Sequence, residues 1–274
     1  MSTPRFNELG QLFLDSPQNV AQLAEECGAF CRGLSWTGEL IADTLNWTRK
    51  GNPVKVPIAE KMLDRITADL ELTAPEWIAD VAGAFPDVPA FLAGQPECMR
   101  RRVLVESNRA PVRVFVDVAS SAAINFQQLA TRGTAALALV MSLIREGRAV
   151  ELFTYTNLEG SRNGQSVVIV KMLTTPIDIG SVAHCLTSSG YSRTLIYQIC
   201  RRMNGFKGHF SKHSPFASSY QARQLSAREH LLKGIYQPGD IVLPIPFRSD
   251  PEIIDPVKWV NDRLAECRAI ADEE

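Results

Sequence analysis

Two places in this chain carry residues whose types and spacing could do chemistry. The first is the segment Tyr191–Tyr236. It holds Arg193, Arg201, Arg202, Lys207, Lys212, Arg223, Arg228 and Lys233 against one acid, Glu229, a local balance of +7. The whole chain has 29 Lys/Arg and 30 Asp/Glu, so the remainder carries 21 basic and 29 acidic residues and stands at −8. Interleaved with those cations are seven aromatics: Tyr191, Tyr197, Phe206, Phe210, Phe216, Tyr220 and Tyr236. Lys and Arg neutralise phosphates with release of counterions, and aromatic faces hold the bases of flexible strands by stacking. The stretch Asn204–Tyr220 reads as an exposed loop that brings Phe206, Lys207, Phe210 and Lys212 within reach of each other, with Arg201 and Arg202 at the end of the helix before it. The same residues also fit a plainer role. Cations favour helix C-termini for dipole reasons alone, and Tyr197, at helical spacing from Arg193 and Arg201, fits a core position.

The second place is the end of the β-rich run Val112–Val118 (VRVFVDV), which leads into Ala119-Ser120-Ser121. Asp117 and Ser121 offer a carboxylate and a hydroxyl, the hard oxygens that Mg²⁺ prefers, at the carboxyl end of a strand, where α/β sheets bind ligands. Their alternative role is to cap the next helix and satisfy the loop. Cys27 and Cys31 could supply half a zinc site, but no second pair of matching type follows, and both fit one helical face. Gly205–Gly208 matches a Gly-x-x-Gly loop without the flanking elements of the RNA-binding module that uses it. His209 and His213 could hold a metal only on a helix, which Gly208, Ser211 and Pro215 oppose. No nucleophile motif and no glycine-rich phosphate loop is present, so no catalytic residue is assigned.

The elements that must position these groups follow from periodicity. Helices are expected over Asn19–Phe30, over Gly38–Arg49 with a stop at Gly51-Asn52-Pro53, and over Ile58–Leu70. Pro75–Pro96, with four prolines and two glycines, reads as an irregular connection and the border between a mainly helical region, 1–96, and an α/β domain, 97–274. Val112–Val118 and Ala149–Thr156 read as strands joined by a long helix, Phe126–Glu146, hence a parallel pair with a right-handed crossover. Gly133 is expected to mark close packing of that helix on the sheet, and Gly147 to end it. Ser166–Leu173 reads as an antiparallel hairpin partner of the second strand. Ile179–Leu186, Ser192–Met203 and Ser226–Lys233 read as helices, and Ile241–Pro246 as a last strand. A final helix starts at Asp255-Pro256 and is expected to pack on the sheet through Val257, Val260, Leu264 and Cys267. Val114, Val116, Leu137, Val140, Leu152, Phe153, Val168, Val170 and Val242 are the expected core, with Val114 and Val116 on a central strand.

The block VRVFVDVASSAAI…LATRGTAALALVMSLIREGRAVELFTYT resembles a von Willebrand factor A-type domain, in which a strand ends in Asp-x-Ser-x-Ser, a long helix follows and the next strand lies parallel. The resemblance covers about residues 112–271 and implies a Rossmannoid layer fold with a Mg²⁺ site. Asp117, Ala119 and Ser121 stand at the three ligand positions, and Ala119 contributes no oxygen, although Ser120 lies beside it. The wider chain, including PDVPAFLAGQPECM, is similar to phage-encoded proteins of this type. It is similar also to single-stranded-DNA-binding regulators of transcription and replication in phages that carry their own RNA polymerases.

Together these readings lead to a non-enzymatic nucleic-acid-binding protein, with single-stranded DNA as the favoured ligand, acting as an accessory of phage replication or transcription. Its expected binding residues are Arg193, Arg201, Arg202, Phe206, Lys207, Phe210, Lys212 and Arg223. A polymerase or another replication or transcription protein is the expected partner, and no cofactor is required beyond a possible Mg²⁺. The alternative is a protein-interaction scaffold with a degenerate metal site and no nucleic acid. The N-terminus lacks a secretory pattern, and the most apolar run, Ala135–Ile144, is roughly half the length needed to cross a bilayer, so a cytoplasmic location, the host's for a phage protein, is expected.

Overall fold

The first element of the region read as mainly helical is a strand, β1 (Gln11–Leu14). The structure that shows it is a computed structural model. It describes residues 4–28, 39–53, 56–68, 77–81, 85–102, 111–119, 124–161, 164–172, 178–203 and 232–273. Helix α1 (Pro17–Glu26) follows β1 at once, because Ser16 accepts a hydrogen bond from the Asn19 backbone N–H at 3.2 Å and Pro17 occupies the first turn. Helix α2 (Ile41–Lys50) stops at Gly51, whose φ of +81° a side chain would oppose. Helix α3 (Val56–Ala68) follows. The proline-rich stretch expected to be an irregular connection contains β2 (Trp77–Asp80), β3 (Phe85–Pro86) and α4 (Val88–Leu92), and β4 (Met99–Arg102) comes after it. Next come β5 (Val112–Asp117), α5 (Phe126–Arg145), β6 (Val150–Ser161) and β7 (Gly164–Met172). Helix α6 (Ile179–Thr187) precedes a π-helical turn, Tyr191–Ile196, which runs into α7 (Tyr197–Met203). Strand β8 (Ile241–Leu243), the short α8 (Pro251–Ile254) and α9 (Pro256–Glu273) end the chain.

Five strands form one mixed sheet in the order β1-β7-β6-β5-β8, and β2-β4-β3 form a separate small sheet. β5 lies parallel to β6, with Val114 opposite Leu152, and α5 is the crossover between them, as expected. β6 and β7 form the expected antiparallel hairpin, with Thr154 opposite Val170. β8 adds parallel to the other side of β5, and β1 adds parallel to β7, with Leu12 opposite Val168. β5 is therefore an interior strand with parallel neighbours on both sides, while β6 occupies the centre. The border expected at Pro96 falls between α4 and β4, within the small sheet. Among the described residues the first hundred contribute strands to both sheets as well as helices.

The larger core fills one face of the main sheet. Val114, Val116, Leu137, Val140, Leu152, Val168 and Val170 are fully buried there, together with Leu12, Val20 and Ala24 from the N-terminal elements. The smaller core, on the other face, comprises Phe115, Phe153, Tyr155, Val167, Ile169 and Leu232, with the Phe115 and Phe153 rings stacked at 4.7 Å. Val242 was expected to be buried and is only partly so, because β8 is an edge strand. Gly133 does not face the sheet. A Cβ there would lie 2.8 Å from Thr187 Cγ2 and 2.9 Å from the Leu186 carbonyl oxygen, so this glycine permits α5 to cross α6 closely. Gly147, at φ +82°, ends α5 as expected: its N–H donates to Ile144 O and the Arg148 N–H to Leu143 O, which satisfies two carbonyls of the last turn. Helix α9 starts where expected, with Asp255 accepting from the Lys258 N–H at 3.0 Å. Its Val260, Leu264 and Cys267 are buried in the larger core, and the helix lies alongside α5. No described helix is long and apolar enough to cross a membrane.

Candidate nucleic-acid interface and the Asp117 end of the sheet

The expected binding segment begins within the π-helical turn. A six-residue π-turn widens the helix by one backbone hydrogen-bond step, and here it buries Tyr191, Ser192, Thr194, Leu195 and Ile196. Tyr191 is fully buried, with its phenol oxygen 3.3 Å from Thr154 Oγ1 on β6, and burial pushes its pKa well above the ordinary value. Tyr197 is 2% exposed. Neither ring offers a stacking face, and Tyr197 occupies the core position that its spacing fits. Tyr236 is half-buried against the smaller core. Arg193 is half-buried on the π-turn, where desolvation lowers its pKa from the usual arginine value. Arg201 and Arg202 are exposed in the last turn of α7, whose carbonyl ends favour cations, and they stand where the basic segment continues. Phe206, Lys207, Phe210, Lys212 and Arg223 lie outside the described residues, as do Phe216, Tyr220, Arg228 and the helix expected over Ser226–Lys233, save its last two residues. Of the eight expected binding residues, the structure thus places Arg193, Arg201 and Arg202, all on one continuous helical run.

At the other candidate site, β5 ends on Asp117 between two parallel neighbours, which sets its carboxyl at the carboxyl edge of the sheet. Asp117 is 2% exposed and accepts a hydrogen bond from the Ala119 N–H at 2.8 Å. Burial pushes its pKa up to about 7, against the pull of that hydrogen bond and of the nearby Arg132 charge. Arg132, inside the apolar run of α5, is fully buried. Its guanidinium donates to the Asp117 main-chain oxygen at 2.7 Å, to Pro244 O at 2.6 Å and to Glu252 Oε1 at 3.3 Å. One side chain thereby ties the ends of β5 and β8 to α8. Two further groups sit just beyond, on β6: the Thr156 hydroxyl and the Asn157 amide are buried without a hydrogen-bond partner among the described residues.

Of the three expected Mg²⁺ ligand positions the structure describes two: Asp117, whose carboxyl is buried beside the Arg132 guanidinium, and Ala119, which supplies no oxygen. Among the described residues no group of three or more His, Cys, Asp or Glu side chains could hold a metal ion. Ser121 lies outside the described residues, as does Cys31; Cys27 is a free thiol, half-buried. The sequence signal that would have exposed the Arg132 anchor is the arginine itself, the one charge inside the apolar face Leu129–Leu143. Its partners, Pro244 and Glu252, are too distant in sequence for any spacing rule to join them to it.

A family model, described as Domain of unknown function (DUF7192), matches residues 2–230. The chain belongs to this family. No curated protein and no solved structure matches the chain. The DUF7192 match runs from before β1 to beyond α7, and so across the small sheet, four of the five strands of the main sheet and the basic segment as far as Arg228. β8, α8 and α9 lie beyond it, with both the Pro244 and Glu252 partners of Arg132.

Proposed function

We propose that this DUF7192 protein is a non-enzymatic nucleic-acid-binding protein of von Willebrand factor A-like fold, with single-stranded DNA as its ligand, serving as an accessory of phage replication or transcription. The observation that carries the reading is the concentration of eight cations and one acid in Tyr191–Tyr236 within a chain whose remainder is acidic. The exposure of Arg201 and Arg202 at the entry to that segment supports it. The fold assignment is supported by β5, flanked by parallel β6 and β8, ending in Asp117 ahead of the long α5. Fluorescence anisotropy with a labelled single strand, the matching duplex and an RNA of equal sequence, each at two salt concentrations, tests the reading. Single-strand binding should weaken steeply with salt, by about 0.7 in log–log slope for each phosphate contact. A flat salt response, or no binding at low salt, rejects it.

One observation favours a second reading, a protein-interaction scaffold. Val88, Phe91 and Leu92 on α4 are all more than half exposed and lie on one face at three- and four-residue steps. Under that reading Phe91→Asp abolishes capture of a protein partner and leaves nucleic-acid affinity untouched.

A further inference from the structure

Strand β6 runs past the end of β5. The last rung the two share sets Asp117 opposite Tyr155, and β6 continues through Thr156 to Asn157, which stays paired with Val167 on β7. Successive strand positions alternate between faces, so Asn157 lies on the side of Phe153 and Tyr155, the side of the smaller core, to which Val167 also belongs. Asp117, two positions beyond Phe115, falls on that same side one rung back. Asn157 is 3% exposed, and neither its amide nitrogen nor its amide oxygen has a hydrogen-bond partner among the described residues. Buried polar side chains are bonded as a rule, and an amide with neither bond is destabilising where a leucine of similar bulk would pack without that loss. The neighbouring groups do not complete it. The Asp117 carboxyl accepts from the Ala119 N–H, and the Arg132 guanidinium is engaged by Asp117 O, Pro244 O and Glu252. This corner of the sheet therefore offers a guest hydrogen bonds rather than an uncommitted charge.

We propose that Asn157 reads a base: its amide oxygen accepts from the exocyclic amino group of an adenine in a bound single strand, and its amide nitrogen donates to a ring nitrogen of that base. Asparagine meets adenine with two hydrogen bonds because the base sets a donor beside an acceptor, the complement of the amide. Single strands are the nucleic acids whose bases turn outward and are read on either edge. A phosphate is a poor occupant, since it would bring a charge into a buried corner that holds no uncommitted cation among the described residues. A trapped water is the plainer occupant, and the experiment below separates it from a base. The inference rests on the nucleic-acid reading above. It adds what the cations of the basic segment do not supply, because phosphate contacts hold a strand without reading its sequence.

The test measures the full-length chain and Asn157→Leu against fluorescent oligo-deoxyadenosine, oligo-deoxycytidine and oligothymidine of equal length. Two further probes are oligo-deoxyadenosines in which the ring nitrogen N1 or N7 is replaced by CH. The unmodified chain should bind oligo-deoxyadenosine about tenfold more tightly than oligothymidine. Asn157→Leu should level the three while leaving the salt slope as it was, because no phosphate contact is lost. One of the two CH-substituted probes should bind the unmodified chain about tenfold more weakly than its parent, a result that needs no variant and so holds even where Asn157→Leu fails to fold. Equal binding of the three oligomers by the unmodified chain, a preference that Asn157→Leu retains, or undiminished binding of both CH-substituted probes overturns the base-reading role and leaves the nucleic-acid reading standing. Unchanged affinities with a raised Tm in Asn157→Leu make the occupant a trapped water only. A glutamine-rich peptide that binds the unmodified chain and not Asn157→Leu, while oligo-deoxyadenosine binds both alike, makes the site an amide dock for protein instead. Absence of any single-strand binding by the unmodified chain removes both proposals.

Discussion

Beside the Arg132 guanidinium, Asp117 is a carboxyl whose protonation the fold has shifted. The folded-state pKa of Asp117, about 7, lies above the ordinary 3.8, so between those values the folded chain holds a proton that the unfolded chain releases. The stability this group contributes is full below about pH 4 and is lost as pH rises through 7. Urea unfolding at pH 5 and pH 8.5 should show a drop of the order of 1–4 kcal/mol, and Asp117→Asn should flatten it. Removing Glu252 as partner leaves a buried guanidinium with uncompensated charge, which typically costs about 3–5 kcal/mol. Glu252→Gln should therefore lower the Tm by on the order of 10 °C in a calorimetric scan. The exposed Arg201 and Arg202 behave oppositely: replacing either with Ala should leave the Tm unchanged and, on the proposed nucleic-acid reading, weaken binding to all sequences alike.

Helix crossings explain much of what the sequence concealed. Periodicity located α5, α6 and α9 to within a residue or two, because three- and four-residue spacing is a local property. It could not tell which neighbour each helix meets. Gly133 was expected against the sheet, yet its close contact is with Leu186 and Thr187 on α6. Gly133→Ala should accordingly cost roughly 1–3 kcal/mol in equilibrium unfolding, and Thr187→Ala should restore only part of it, since the Leu186 carbonyl also stands in the way. β1 escaped notice because four residues are too few to show alternation, and β2, β3 and β4 because prolines and glycines mark loops more often than short strands. Of the candidate site, the exposed cations at the end of α7 were legible from charge alone. So was the core position of Tyr197, from its helical spacing; the burial of Tyr191 was not, because it depends on β6 lying beneath the π-turn.

Across the whole molecule, the N-terminal elements share the core of the α/β part. β1 pairs with β7, Ser181 Oγ donates to Thr48 O at 2.8 Å, and a Cβ at Gly51 would come within 2.7 Å of the Gly180 Cα. A fragment beginning at residue 97 should consequently bind a hydrophobic dye and unfold non-cooperatively, whereas independent folding of that fragment would show that the first 96 residues are an accessory. The placing of β1 also has a kinetic side. β1 leaves the ribosome well before its partner β7, and Leu12 meets Val168 across all the chain between them. The hairpin β6–β7 can form locally, so the β7 flank stays open until the N-terminal strand returns to it. Loop-closure entropy makes such a return slow. During synthesis the nascent chain therefore carries an unsatisfied strand edge, Val167–Val170, for which another chain's β1 is an equally good partner. Exchange of β1 between two molecules is the misassembly this topology invites at high concentration.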